Sequence, residues 1–354
     1  MLRAVRALTV IPGRPGSGAV REVADPIPAD GEALVDVVRV GLCGTDAEIE
    51  RGEYGTAPEG SDVLVLGHES LGRVARGTSA LREGTLVVAS VRRPDGCPNC
   101  SSGEQDMCLW GKFTERGIGG RHGFCAERYA ERPEYLFALP AALEPVAVLL
   151  EPLTVSEKGF RHLFVAQRRM TVWAPRAAVV TGAGPVGILA AVLLRLRGIE
   201  ATVVERTHKP ERAALLERIG ARYAATSRMP LDELGPVDVV LEATGSAQVA
   251  FDGVRLLRAN GAIVLTSVTG GGKRAELPID ELNQRIVLRN LLVLGTVNAN
   301  AADFRQGIAD LAAAEERWPG FLASLITRRV PLSDAALALR HDPAHIKTVV
   351  EVGP

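Results

Sequence analysis

The chain has 354 residues, enough for two ordinary domains with a core each, and its 47% hydrophobic and 23% charged content excludes a disordered polymer. Lys and Arg total 41 against 42 for Asp and Glu, a formal net charge of −1, so no long-range field attracts nucleic acid or an anionic membrane. MLRAVRALTV at the start lacks the apolar core and small-residue cleavage site of a signal peptide. Five cysteines is an odd number, three of them crowd into residues 97–108, and a metal lobe in a reducing cytoplasm is the expected setting.

In chain order, the first third reads as short strands between Gly- and Pro-rich turns, with strands expected at 32–40, 85–91 and 123–130. No long helical period appears before Glu144, and a helix is expected within 146–164. The pattern then changes to alternation. Strands are expected at 177–181, 201–204, 237–241, 262–267 and 291–295, and helices at 188–197, 211–219 and 247–257, with a helical C-terminal stretch near 303–314. Strands and helices in this order imply a parallel sheet covered on both faces. The apolar run 177–194 is long enough to suggest a membrane span, but three glycines and Pro185 break it, so strand, turn and helix is the expected reading.

Gly182-Ala183-Gly184-Pro185-Val186-Gly187 is a G-x-G-x-x-G turn placed between an expected strand and an expected helix. The first glycine permits the tight turn, the second lets backbone approach a pyrophosphate, and the third lets helix pack on strand. Glu205 ends the next strand, where a carboxylate accepts hydrogen bonds from an adenosine ribose. Glu205 favours NAD, whereas Arg206, His208 and Lys209 are placed to pair with the 2′-phosphate of NADP; both cofactors stay open.

Cys43, in Gly41-Leu42-Cys43-Gly44-Thr45-Asp46, and His68, in Gly67-His68-Glu69, are ligand types for zinc, and Glu151 is a third candidate. Cys97, Cys100 and Cys108 form C-x2-C-x7-C, a pattern for a structural zinc that needs a fourth ligand, for which Asp95 is the candidate. Taken singly, each of these residues is as well explained as a core or surface group. Cys125 most simply packs in the core.

These motifs, in this order, resemble the zinc-containing medium-chain alcohol dehydrogenases. The branch most similar is that of the glucose 1-dehydrogenases, on Gly67-His68-Glu69-Ser70, Glu115-Arg116-Gly117-Ile118, His122-Gly123-Phe124, Glu151-Pro152-Leu153 and Gly295-Thr296-Val297-Asn298-Ala299. The resemblance implies an α/β protein: a GroES-like, mainly-β catalytic domain (1–145 and 300–354), rejoined by C-terminal helices, and a doubly wound Rossmann domain (146–299). It implies catalytic zinc on Cys43, His68 and Glu151 with Glu69 as an exchangeable ligand, and Thr45 as the proton relay. Glu115 and Asn298 match positions that hydrogen-bond sugar or cofactor. Pro94 replaces the usual first cysteine of the lobe, and Val155 and Ser90 stand where polar sugar contacts occur in the branch.

The expected activity is oxidation of an aldose at C1 to its lactone with NAD or NADP, in a homo-oligomer, dimer or tetramer, with no nucleic-acid or membrane partner. A polyol or cyclitol dehydrogenase of the same chemistry is the alternative. A zinc-free, catalytically silent dinucleotide-binding protein is the reading from a different class.

Overall fold

The structure is a computed structural model describing residues 4–268, 274, 276–340 and 342–353. Contacts divide the chain into two compact units. One comprises the chain up to Glu151, Asn298–Leu311 and the chain from Leu322; the other comprises Pro152–Val297 and Ala312–Phe321.

The first unit is mainly β. Its spine is the strand Ala33–Leu42, rich in valine and buried over most of its length, as β-branched residues on a two-sided sheet require. It pairs antiparallel with Glu69–Arg76, Arg128–Glu131 and Lys347–Glu351 inside a seven-stranded sheet. Leu8, Val35, Val40, Ile49, Leu66 and Phe124 fill the core below it, and Cys125 is packed there, fully buried.

Two expectations need correction here. The segment 123–130 forms a ladder only over Arg128–Glu131; before that, Phe124 and Cys125 donate to the carbonyls of Gly67 and Leu66, Cys125 accepts from the Leu8 N–H and Glu127 donates to the Arg6 carbonyl, so the segment serves three neighbours. The chain returns to this unit not by helices alone, since Ile326–Pro331 and Lys347–Glu351 are strands. The run Thr348-Val349-Val350 is β-branched and buries both valines fully against the spine, which a helix there would not do.

The second unit carries a six-stranded sheet that is parallel throughout. Its order across the sheet is Arg222–Ala225, Glu200–Glu205, Ala177–Thr181, Val237–Glu242, Leu257–Leu265, Leu292–Gly295. The order reverses at Ala177–Thr181, and a doubly wound sheet binds ligands at the carboxyl ends of its strands at such a reversal. Strand sequences such as AAVVT and VDVVLE are nearly continuous apolar runs because both faces are covered. The run 177–194 is divided between the strand Ala177–Thr181 and the helix Pro185–Leu196, and among the described residues no helix is long and apolar enough to cross a membrane.

Candidate active site

Cys43 follows the spine strand and caps the helix Gly44–Glu50. Its Sγ accepts the Thr45 N–H at 3.2 Å, and the Asp46 carboxylate reaches back to the Cys43 N–H at 2.9 Å. This reciprocal cap fixes the sulfur at a helix start, and Thr45 sits partly exposed beside it. Asp46 is fully buried, and its second oxygen accepts the Gly67 N–H at 3.1 Å, tying the first motif to the second.

His68 is thereby held with Nε2 3.1 Å from Cys43 Sγ, while Nδ1, on the other side of the ring, lies 3.7 Å from Asp46 Oδ1. Glu69 opens the neighbouring strand, buried, and pairs with the ammonium of Lys347. Lys347 is itself buried and donates to the Leu42 carbonyl at 2.9 Å. Ligand atoms of Cys43, His68 and Glu69 all lie within 4.8 Å of one another. Glu151, buried at the start of the helix Leu150–Gln167, is outside that triplet but inside its electrostatic field.

The charges in this pocket do not balance. Burial alone would lower the His68 imidazole, but Cys43, Asp46 and Glu151 outweigh it and hold it well above 6.5. Glu151 is pushed up to about 7 by burial and by Glu69 and Asp46, against the pull of His68 and Lys347. A protein that gathers a half-buried thiol and several buried carboxylates around one imidazole traps protons unless a cation replaces them. The donors are one sulfur, one nitrogen and carboxylate oxygens, the set that suits zinc. His68 Nδ1 is buried with no hydrogen-bond partner, pointing to Asp46 as the group that orients the ring once Nε2 is engaged.

The cysteine lobe gathers a second cluster: ligand atoms of Asp95, Cys97, Cys100 and Cys108 all lie within 4.8 Å. Cys108 Sγ is 2.9 Å from Asp95 Oδ2 and 3.9 Å from Cys97 Sγ. Backbone N–H groups of Cys100 and Leu109 donate to Cys97 Sγ, and those of Cys97 and Lys112 to the Asp95 carboxylate. The aspartate beside Pro94 thus occupies the corner that three cysteines leave open. Four donors converge, as a closed tetrahedral site needs.

Glu115 and Asn298, far apart in sequence, meet: Asn298 Nδ2 donates to Glu115 Oε1 at 2.9 Å. Arg92 donates to the same oxygen at 3.0 and 3.1 Å and lies 3.6 Å over the Phe113 ring. Asn298 adopts φ 60°, a left-handed conformation that asparagine tolerates better than most residues. Glu115 also lines a cavity of about 510 Å³ with Tyr54, Thr56 and Phe113, which Cys43, His68, Glu69 and Glu151 do not line. Ser90 is buried and faces Arg93, whose Nη2 donates to its carbonyl at 3.1 Å, while Val155 is half-buried on the helix Leu150–Gln167.

In the second unit the glycine turn joins the strand Ala177–Thr181 to the helix Pro185–Leu196. Gly182 has φ 102°, and a Cβ on it would come within 2.7 Å of the Ala243 carbonyl oxygen. A Cβ on Gly187 would overlap the Gly182 carbonyl. Gly184 caps the helix without a side-chain hydrogen bond, so Pro185, Val186 and Gly187 open a first turn whose N–H groups and dipole suit a phosphate. The buried Arg212 guanidinium donates to the Ala183 carbonyl and steadies the turn. Glu205, at the end of its strand, accepts from Tyr223 Oη at 2.7 Å, and Lys209 Nζ lies 3.5 Å from it; Arg206 is exposed.

Sequence reasoning missed Asp46 as the tie between the two motifs, and it missed Lys347 and Tyr223 altogether. Asp46 stood in a quoted motif and could have been read as a capping-box partner three residues after Cys43. Lys347 and Tyr223 carry no local signal, because each acts on a residue from a distant stretch of chain.

Two family models match the chain, the alcohol dehydrogenase GroES-like domain over residues 29–141 and the glucose dehydrogenase C-terminus over residues 144–352. Glucose 1-dehydrogenase of Methanocella arvoryzae is 42% identical over 99% of this chain and 100% of its own length. That of Thermoproteus tenax is also 42% identical, over 98% and 99%. The solved structure of Haloferax mediterranei glucose dehydrogenase in complex with NADP, Zn and gluconolactone superposes with a TM-score of 0.91 at 31% identity, over 99% of both chains.

Proposed function

The chain belongs to the zinc-containing medium-chain dehydrogenases, in their glucose dehydrogenase branch, and from that premise we propose that it oxidises an aldose at C1 to the lactone, with hydride passing to NAD or NADP. The convergence of Cys43, His68 and Glu69 within 4.8 Å, with His68 and Glu69 buried and Cys43 half-buried, carries this reading. Cys43, His68 and Glu151 would hold zinc, with Glu69 as an exchangeable ligand; Cys43 and Glu151 together supply two negative charges against a divalent ion. When bound, zinc supplies the Lewis acidity that makes a sugar hydroxyl acidic near neutrality, and the dinucleotide supplies the hydride acceptor. Thr45, able both to accept and to donate, carries the hydroxyl proton outward. Asp46 keeps His68 oriented, and Lys347 restrains Glu69 through its ion pair. Glu115 and Asn298 present a carboxylate and an amide to sugar hydroxyls, and Gly182, Gly184 and Glu205 hold the dinucleotide.

A panel of aldoses and cyclitols assayed with NAD and NADP tests the substrate. Glucose consumption with lactone as product is the expected outcome; a ketone formed from a cyclitol or polyol, with aldoses inert, would move the enzyme to the alternative. Chelation should abolish oxidation and added zinc restore it, whereas undiminished activity in the metal-free protein would remove zinc from the reaction. Asp95→Ala should reduce bound zinc from two ions to one per chain by elemental analysis; two retained ions would exclude Asp95 as a ligand.

Glu205→Ala should weaken NADH binding about tenfold and NADPH binding less, since a lost charged hydrogen bond to the ribose costs roughly 1.5 kcal/mol. Equal weakening of both would take Glu205 out of ribose recognition.

The protein is further proposed to be a cytoplasmic homo-oligomer. All five cysteines are free, in keeping with a reducing compartment. Among the described residues, the edge strand Leu292–Gly295 pairs on one side only, with Val293, Val287 and Leu288 exposed on or beside it. An unprotected apolar edge favours pairing with a second copy. Val293→Lys should lower the sedimentation coefficient towards that of a 37.6 kDa monomer; an unchanged value would place the interface elsewhere.

A further inference from the structure

Glu205 is one arm of a local arrangement that no motif announces. Tyr223 lies on the strand Arg222–Ala225, in register with Val203, so its ring shares a face of the sheet with Val203 and Glu205. Its hydroxyl is 2.7 Å from Glu205 Oε1 and 3.3 Å from the Thr207 carbonyl, and it accepts the Lys209 N–H at 2.8 Å. Lys209 is the cap residue of the helix Pro210–Glu217 and has no side-chain cap of its own, so the tyrosine oxygen satisfies an N–H at that helix start. The opposite oxygen, Glu205 Oε2, faces Lys209 Nζ at 3.5 Å, and the His208 ring tilts against Tyr223 with centroids 5.4 Å apart.

One phenol therefore fixes both the carboxylate and the loop 206–209 that follows it. A carboxylate held on one oxygen keeps a set direction. Released, it would swing through rotamers and be a poorer acceptor for vicinal ribose hydroxyls. Burial and the adjacent Glu205 push the phenol up to about 12, so the hydroxyl keeps its proton and serves as the donor.

We infer that Tyr223 is a positioning residue for the adenosine ribose of the dinucleotide, setting the preference between a free 2′-hydroxyl and a 2′-phosphate by holding Glu205 in place. The inference rests on the proposed role of Glu205. Its geometry lies within the second unit alone and does not depend on the metal pocket.

Equilibrium titration of NADH and NADPH by fluorescence, on wild type, Tyr223→Phe, Glu205→Ala and the double variant, tests it without turnover. Tyr223→Phe should weaken NADH roughly three- to tenfold and leave NADPH unchanged or tighter, because a mobile carboxylate repels a 2′-phosphate less. In the Glu205→Ala background, Tyr223→Phe should have no further selective effect, a coupling that a merely structural tyrosine would not show. If Glu205→Ala alters selectivity and Tyr223→Phe does not, or if Tyr223→Phe weakens both dinucleotides alike in both backgrounds, the positioning role is overturned. If Glu205→Ala itself is unselective, the ribose role of Glu205 fails, and the inference with it. Should Tyr223→Phe fold poorly, Lys209→Met removes the cation from the other oxygen and is read on NADH alone, because Lys209 is also placed to meet a 2′-phosphate; an NADH affinity left untouched by that change supports the tyrosine as the anchor, and a loss like that expected of Tyr223→Phe would transfer that role to Lys209.

Discussion

Cys43→Ser should lower sugar oxidation on the order of a thousandfold or more while leaving NADH affinity within about twofold of wild type. The sulfur sits at the meeting point of three restraints: the Thr45 N–H at 3.2 Å, His68 Nε2 at 3.1 Å, and a backbone pinned by Asp46. Serine preserves size and cap geometry yet cannot supply a thiolate near neutral pH, so an ion held there loses its softest donor and one negative charge. Several kcal/mol of Lewis-acid stabilisation disappear with it, and each 1.36 kcal/mol is a factor of ten in rate. Dinucleotide affinity is the control, because the glycine turn and Glu205 belong to the other compact unit. Steady-state kinetics, NADH titration and zinc content on one preparation check the outcome. Full activity with zinc retained would show that the sulfur is not a ligand.

Glu131→Gln should destabilise the first unit by about 3–5 kcal/mol, the cost of breaking a buried ion pair from one side. Glu131 is fully buried between two arginines, with Arg93 Nε at 3.2 Å and Arg116 Nε at 2.9 Å, and both guanidiniums are nearly buried too. The carboxylate carries opposite charge for both, and an amide would leave two buried cations facing each other. For a unit of this size the melting temperature should fall by roughly 10 °C. The pH dependence gives a second test. Burial alone would raise the Glu131 carboxyl, but Arg93 and Arg116 outweigh it and hold it at about 2 against an ordinary value of 4.5. A depressed folded-state value contributes stability that is complete above about 4.5 and is lost as pH falls towards 2, a term of about 3 kcal/mol. Wild type should therefore lose stability across that window more steeply than the variant. Parallel curves would assign the acid sensitivity to other groups.

The dinucleotide unit was legible because its information is local. Strand 177–181, the glycine turn and the acid at 205 lie within 29 residues, and a continuous apolar run followed by a helical period admits few other folds. The strand Arg222–Ala225 escaped notice because RYAA has a charge, two alanines and no β-branched run; it exists by pairing with Glu200–Glu205. In the first unit, 123–130 reads as one strand, whereas the chain divides its hydrogen bonds among three partners. Terminal strands were masked by the expectation of helices, although Thr348-Val349-Val350 has strand composition.

For the sites, sequence alone determined the kinds of atoms present: a thiol, an imidazole and carboxylates in one half, three clustered cysteines, a phosphate-sized glycine turn in the other. Residue types and short spacings fix chemistry and local turns, so these followed from the letters. Tertiary structure decided which groups share a pocket and how their charges stand. It brought Asn298 to Glu115, Lys347 to Glu69 and Tyr223 to Glu205, and it turned the Asp95 carboxylate, already a neighbour of Cys97 in the chain, onto Cys108 Sγ. Lys347 reaches Glu69 only because the last strand pairs with the spine strand 305 residues upstream, and burial of that pair from water strengthens its charges. Electrostatic energy depends on distance and burial, and neither is written in a linear order of residues until the sheet has closed.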